Sequence, residues 1–268
     1  MKRLIYQVYV GQESNLYNHC IQSVYDYCKK YNIDHYVQKD PKLKILPDPK
    51  TTNRSQGAIR LGYLPIYEKE NAFEWFEEYD QIAIVDSDIY IKSTAPNIFN
   101  DLDPTVDFAG VVEREMPLTS EYTHKIIHYS RSQYEQLSNV DFAPNKYGYE
   151  FYNMGLMVMN KSITKYINGT PKEFIQQPEF KRFVDGLGAW KWSTDQTLLN
   201  YWVRNSGMKQ QHLSWKWNAL FKGIRDDWLP KAHFIHFFLK DKLPARGENV
   251  NLLMQELDGN TKMEHKHI

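Results

Sequence analysis

Cysteine is almost absent: Cys20 and Cys28 are the only two in 268 residues. They lie eight apart in one stretch that reads as a helix. Eight helical residues rise about 12 Å, too far for a disulfide between them. Disulfide scaffolds and zinc fingers are therefore excluded, and a reducing, cytoplasmic location is expected. The chain also lacks any run of about 18 apolar residues, so no transmembrane span is expected. Its opening, "MKRLIYQVYVG", has an apolar run broken by Gln7 and no small-residue cleavage site, so it reads as a first strand. Net charge is absent too, with 33 basic against 33 acidic residues. No global field then draws nucleic acid or an anionic membrane. Nor is there an internal repeat or a low-complexity linker. A single domain over residues 1–268 is expected.

What is present is enough chain for a substantial core and an aromatic fraction of 15%. Aromatic side chains fill cores, but they also stack on sugars and bases. Tyr9, Trp190, Trp192, Trp215 and Trp217 are candidates for either use. Leu4 to Val10 reads as a strand, and Ser14 as the N-cap of a helix reaching about Tyr31. A strand at Ile33 to Gln38, a helix over Gln56 to Glu70 and a strand at Gln81 to Val85 follow. This rhythm implies α/β architecture with a mostly parallel sheet, whose ligands bind at the carboxyl ends of the strands. Beyond residue 105 the pattern gives a strand at Phe108 to Val112 and a helix over residues 119–137. Further strands fall at 151–160 and 232–238, with a helix at 193–205 between them.

One stretch, "QIAIVDSDIYIK" (81–92), carries the chemistry. An apolar strand runs into Asp86-Ser87-Asp88. Residues i and i+2 of an extended chain point to the same side, so the two carboxylates repel unless a cation or hydrogen-bond donors intervene. Mg²⁺ or Mn²⁺ resolves the conflict, because both take oxygen ligands and bridge phosphates. A polar turn with Asp86 capping backbone amides would also place these residues here. A haloacid-dehalogenase-type phosphatase, with Asp86 as nucleophile, shares the D-x-D. It calls for Thr or Val at the fifth position, where this chain has Tyr90.

Further segments, in order, make the chain resemble GT-A glycosyltransferases, in particular family 8, the glycogenin and galactosyltransferase group. "IYQVYVG" is similar to that family's first strand, and "AIRLGYLPIYE" to the helix before its D-x-D. "AIVDSDIYI" resembles the D-x-D strand itself. "FYNMGLMVMN", "TDQTLLN", "LSWKWN" and "IHFFLKDK" resemble the motifs that follow it. Leu239 stands where the family usually has Gly, and Thr197 at the third position of its D-Q-D.

The resemblance implies a single GT-A, Rossmann-like α/β domain with a mixed, mostly parallel central sheet flanked by helices. Its nucleotide-binding half would span about 1–105 and its acceptor and donor-sugar half about 106–245, with a C-terminal helix and tail over 246–268. It also implies roles. Asp86, Asp88 and His236 would hold Mn²⁺ or Mg²⁺; Tyr9, Val10 and Ser87 would border the nucleotide; Arg60 and Lys242 would reach the diphosphate. Asn153, Asp195 and Gln196 would orient donor sugar and acceptor. The implied reaction moves a sugar from a nucleoside-diphosphate sugar, UDP-sugar favoured, to a hydroxyl of a glycan or glycoprotein. Retention of configuration is the implied outcome. An inverting enzyme needs a carboxylate base near the acceptor, and Asp195 or Glu150 could serve.

Bland readings accompany several of these residues. Ser193 and Gln196 fit a capping box, with Asp195 favouring the helix dipole. His236, between Phe234 and Phe238, fits a core histidine, and Gly155 fits a close backbone approach. A non-catalytic GT-A-like domain that holds nucleotide or glycan is the reading from another class.

Overall fold

The structure is a computed structural model and describes residues 1–262; residues 263–268, the end of the helix and tail expected over 246–268, lie outside the described residues. The chain opens with strand β1 (Arg3–Val8), helix α1 (Asn15–Tyr31), strand β2 (Asp34–Gln38) and the short helix α2 (Gln56–Arg60). Strands β3 (Gln81–Val85), β4 (Ile89–Ile91) and β5 (Phe108–Val112) precede helix α3 (Ser120–Tyr134) and the long strand β6 (Tyr152–Asn160). Helices α4 (Pro171–Ile175), α5 (Lys181–Val184) and α6 (Asp195–Asn205) come next. Strands β7 (Gln210–His212), β8 (Ala219–Leu220) and β9 (Phe234–His236) and helix α7 (Val250–Lys262) complete the described chain. No helix among the described residues is long and apolar enough to cross a membrane.

The main sheet has the order β2-β1-β3-β6-β5-β7. β1 pairs in parallel with β2 and β3, and β5 with β7, while β6 runs antiparallel to both its neighbours. The result is the mixed, mostly parallel α/β sheet that the resemblance implied. All five residues of β3 and all nine of β6 are buried, so apart from Gln81, Asn153 and Asn160 both strands are apolar on both faces rather than alternating. A second sheet, β4-β9-β8, continues from β3 through the Asp86–Asp88 turn. Its β4–β9 pairing sets Ile89 opposite His236, beside Asp88.

Local signals explain most boundaries. α1 begins at the Ser14 cap and stops at Asn32, which takes the left-handed conformation at φ 53°; asparagine tolerates that region better than most residues. Its buried face, Leu16, Cys20, Val24, Tyr27 and Cys28, has helical spacing, and both cysteines are free. The helix expected over Gln56 to Glu70 is not formed as one piece. α2 ends after five residues, Gly62 turns at φ 78°, and Pro65 starts a separate 3-10 segment running to Glu77. Proline lacks the N–H that a continuing helix requires. Within that segment the buried Glu68 carboxylate accepts from the backbone of Lys42, Leu43 and Lys44 at 2.6, 3.0 and 2.7 Å. It thereby fixes the loop after β2.

A second buried carboxylate joins β5 to the far ends of β6 and β7. Asp107 accepts from Ser162 Oγ at 2.6 Å, Lys209 N at 2.9 Å, Lys165 Nζ at 3.0 Å and Tyr166 OH at 3.1 Å. Burial works against its charge, but these donors outweigh burial and hold its pKa at about 2. A depressed pKa gives stability that is present above the ordinary carboxylate value and lost as pH falls toward 2. Asp107→Asn should therefore lower the unfolding free energy at neutral pH by about 1–3 kcal/mol. Urea titrations across pH should show the difference from wild type shrinking as pH falls from 5 toward 2.

Candidate active site

β6 slips against β5, and the slip builds the site. The two strands pair in register from Phe108–Met159 to Gly110–Met157, after which Val111 faces Asn153. Residues 154–156 are left without a partner on β5, an irregularity that re-aims the strand. Neighbours take up the freed backbone. Met154 N donates to Gln196 Oε1 at 3.1 Å, and Met154 O accepts from Lys69 Nζ at 2.9 Å. Gly155 O accepts from Asp86 N at 2.8 Å. Asn200, the last residue of "DQTLLN", accepts from Tyr152 N at 2.7 Å and donates to Tyr152 O at 2.9 Å. α6 is thus stitched to the strand start, and its N-terminus faces the slip.

The Asp86–Asp88 turn is tied down on both sides. Ser87 Oγ donates to the Val8 carbonyl, Gln7 Nε2 donates to Asp86 O at 3.3 Å, and Phe237 N donates to Asp88 O at 2.9 Å. His236 Nε2 lies 3.2 Å from Asp88 Oδ1 and 4.0 Å from Asp86 Oδ2. One ligand atom from each of these three residues falls within 4.8 Å of the others. Two carboxylate oxygens and an imidazole nitrogen at that spacing suit a divalent cation, with Mn²⁺ the better match to the nitrogen. The imidazole is seated against Gly155, where an added Cβ would stand 2.4 Å from His236 Cε1. Only glycine leaves room for the ring. Burial disfavours charge on His236, yet Asp88, Asp86 and Glu113 raise its pKa above the ordinary value. Burial likewise opposes the Asp88 charge, and His236 and Lys240 hold that carboxyl below its usual range.

A residue that sequence reasoning missed, Lys69, sits at the centre. Its ammonium lies 3.1 Å from Asp86 Oδ1 and 2.7 Å from Asp195 Oδ2. Burial opposes its charge, but Asp195, Asp86 and Glu70 carry its pKa above the ordinary lysine value. Asp195 is buried, which pushes its carboxyl up against the pull of Lys69. Neighbouring Glu70 is fully buried with neither oxygen hydrogen-bonded, and burial drives it well above the carboxylate range. The signal for Lys69 was available. Gly62 and Pro65 break the expected helix, and Lys69 is the one basic residue of Pro65–Glu77.

Two clefts meet at these charges. One, of about 430 Å³, lies between Tyr122, Tyr129, Asn153, Gln196, His236 and Phe238. The other, of about 260 Å³, is bordered by Val8, Tyr9, Val10, Tyr17 and Ser87. Lys69, Asp86, Asp88 and Asp195 line both. Asn153 reaches the larger cleft, but its amide is engaged by Glu113, Asn218 and Gly155. Arg60 is exposed at the end of α2 and lines neither cleft. Lys242 also lines neither; its ammonium pairs with the Glu121 carboxylate at 3.0 and 3.1 Å. Lys240 comes closer, bonded to the Tyr17 hydroxyl and 4.0 Å over its ring.

Other expectations change as well. Thr194, not Ser193, caps α6; Ser193 is buried and accepts at its carbonyl from Arg54 at 2.6 Å. Glu150 is clamped by Arg114 at 2.8 Å and by Arg204, away from both clefts. Trp190 and Trp217 fill the core, donating to Gln133 O and Asp101 at 2.9 Å each. Trp215 packs on Trp228, and Trp192 is 71% exposed.

No family model and no curated protein matches the sequence. Solved structures do match in fold. A glycosyltransferase involved in glycosylation of the major capsid of PBCV-1 superposes on 95% of this chain over 100% of its own, with TM-score 0.56 and 12% identity. The bifunctional glycosyltransferase WbbM, in its apo structure, covers 88% of this chain with 46% of its own, at TM-score 0.50 and 13% identity. The fold is that of GT-A glycosyltransferases, whereas family 8 in particular finds no sequence match. The likeness does not favour the phosphatase alternative.

Removing Lys69 leaves the buried Asp195 carboxylate facing the partly exposed Asp86 with no cation between them. Lys69→Met should cost about 3–5 kcal/mol of stability at neutral pH, measured by denaturant unfolding. The penalty should shrink as pH falls, because Asp195, already raised, then takes up a proton and the repulsion disappears.

Proposed function

We propose that this chain is a metal-dependent glycosyltransferase that moves a sugar from a nucleoside-diphosphate sugar, UDP-sugar favoured, to a hydroxyl of a glycan or glycoprotein. The observation that carries the reading is the cluster of Asp86, Asp88 and His236 where two clefts meet at the carboxyl end of β3. The proposed domain runs through both halves of the chain, about 1–105 for the nucleotide and about 106–245 for donor sugar and acceptor.

The smaller cleft takes the nucleotide, with Tyr9 and Val10 along the base and ribose and Ser87 holding the turn. Asp86, Asp88 and His236 would hold Mn²⁺ or Mg²⁺, and the ion would supply positive charge for a departing diphosphate. Lys69 and Lys240 add fixed charge on either side of the carboxylates, a part that Arg60 and Lys242 do not reach in this conformation. Asp195 is held by Lys69 at the junction and orients the donor sugar. Gln196, between Met154 N and Tyr129 OH, keeps the rim of the larger cleft in place for the acceptor. The carboxylates lining that cleft are all engaged: Asp195 by Lys69, Glu113 by Tyr122 and Asn153, Asp86 by Lys69 and Asp88 by His236. Among the described residues lining that cleft no carboxylate stands unpaired as a ready base, which supports retention.

Calorimetry with UDP and GDP, each with and without Mn²⁺, tests the reading. UDP should bind in a manganese-dependent way, and Asp86→Ala/Asp88→Ala should abolish that dependence. Absence of binding by either nucleotide in the presence of metal would overturn the proposal.

A further inference from the structure

His236 turns one nitrogen toward the carboxylates and the other into the protein. Its Nδ1 lies 3.1 Å from Asn218 Oδ1. Backbone atoms decide which way the neighbouring amides point. Gly155 N–H can only donate, so the Asn153 atom it meets at 3.1 Å is Oδ1. The other end of that amide then donates to Glu113 Oε2 at 3.1 Å. Asn218 places one atom 2.9 Å from Asn153 Oδ1 and 3.4 Å from the Asn153 backbone carbonyl. Both are acceptors, so the Asn218 atom facing them is Nδ2. Its oxygen consequently faces His236 and accepts, and Nδ1 must carry a proton. A neutral imidazole has one N–H, which leaves the Nε2 lone pair directed at Asp86 and Asp88.

Little of this chain of groups is exposed. Glu113 is 2% exposed, Asn153 5%, Asn218 0% and His236 4%. Tyr122 OH donates to Glu113 Oε1 at 2.6 Å and anchors the far end. We infer that Asn218, oriented by Asn153, is a positioning residue that locks His236 as its Nδ1–H tautomer and so makes Nε2 the metal-binding atom. The inference rests on the metal site proposed above. Partners of this kind, one step behind a metal ligand, set ring orientation and ligand basicity. Without Asn218 the Nε2 proton could remain and donate to Asp88, closing the gap a cation needs.

Nitrogen NMR of the wild-type chain carrying ¹⁵N-histidine tests the lock directly. Spectra are taken above the imidazole's own titration, with His236 assigned through His236→Gln. A protonated Nδ1 and bare Nε2 are expected; a protonated Nε2 overturns the inference. Manganese titration by calorimetry, without nucleotide, then compares wild type with Asn218→Leu. Affinity should fall roughly 10–100-fold in a variant that keeps a cooperative melt, and unchanged affinity in such a variant overturns the positioning role. Should Asn218→Leu fail to fold, the wild-type spectrum still decides the tautomer. Wild type that binds no manganese would overturn the metal-site reading itself, whichever tautomer is found.

Discussion

Mutual repulsion among carboxylates governs this molecule. Asp86, Asp88 and Asp195 converge at one end of the main sheet, where burial strengthens every charge interaction. One cationic group eases the arrangement, the Lys69 ammonium between Asp86 and Asp195, while the His236 ring stands beside Asp88. The two do different work. Lys69 is enclosed by partners and acts as fixed charge, whereas His236 faces a gap that a divalent cation can enter.

That charge pattern depends on backbone that is irregular where the strand order is most regular. β6 is the antiparallel member of a mostly parallel sheet, and its slip against β5 exposes main-chain groups of Met154 and Gly155. A buried amide or carbonyl without a partner costs as much as a lost hydrogen bond. Those of Met154 and Gly155 are met: Lys69 and Gln196 hold Met154, and Asp86 and Asn153 hold Gly155. Side chains that line the clefts are thus the same ones that satisfy the strand. Packing and site geometry are a single constraint here.

Much of this was legible in the sequence because local chemistry reported it. An apolar run ending in Asp-x-Asp announces a strand delivering charge to an edge, and Ser14 and Gly155 announce a cap and a close approach. His236 stood out among phenylalanines. Lys69 did not, because a helix drawn from Gln56 to Glu70 overran Gly62 and Pro65 and handed the basic role to Arg60. Lys242 was placed by motif spacing alone, and spacing does not foresee that Glu121 on α3 would pair with it. The alignment of Asn218 with Asn153 depends on which backbone groups they meet, and that is settled by pairing across strands far apart in the chain. Ser193 and Thr194 offer the same hydroxyl chemistry one residue apart, so sequence pattern alone does not decide that Thr194 caps α6.

The small sheet has a consequence in time rather than in space. Its strands β4 and β9 come from opposite halves of the described chain, and their pairing brings His236 to Asp88. Contacts of such long sequence separation form late, after the entropy of closing the intervening loop has been overcome. A chain still emerging from the ribosome, complete through β6 but lacking β9, would carry the two aspartates without their third neighbour. The three-residue cluster is therefore a property of the finished fold, assembled only when the last strand has docked.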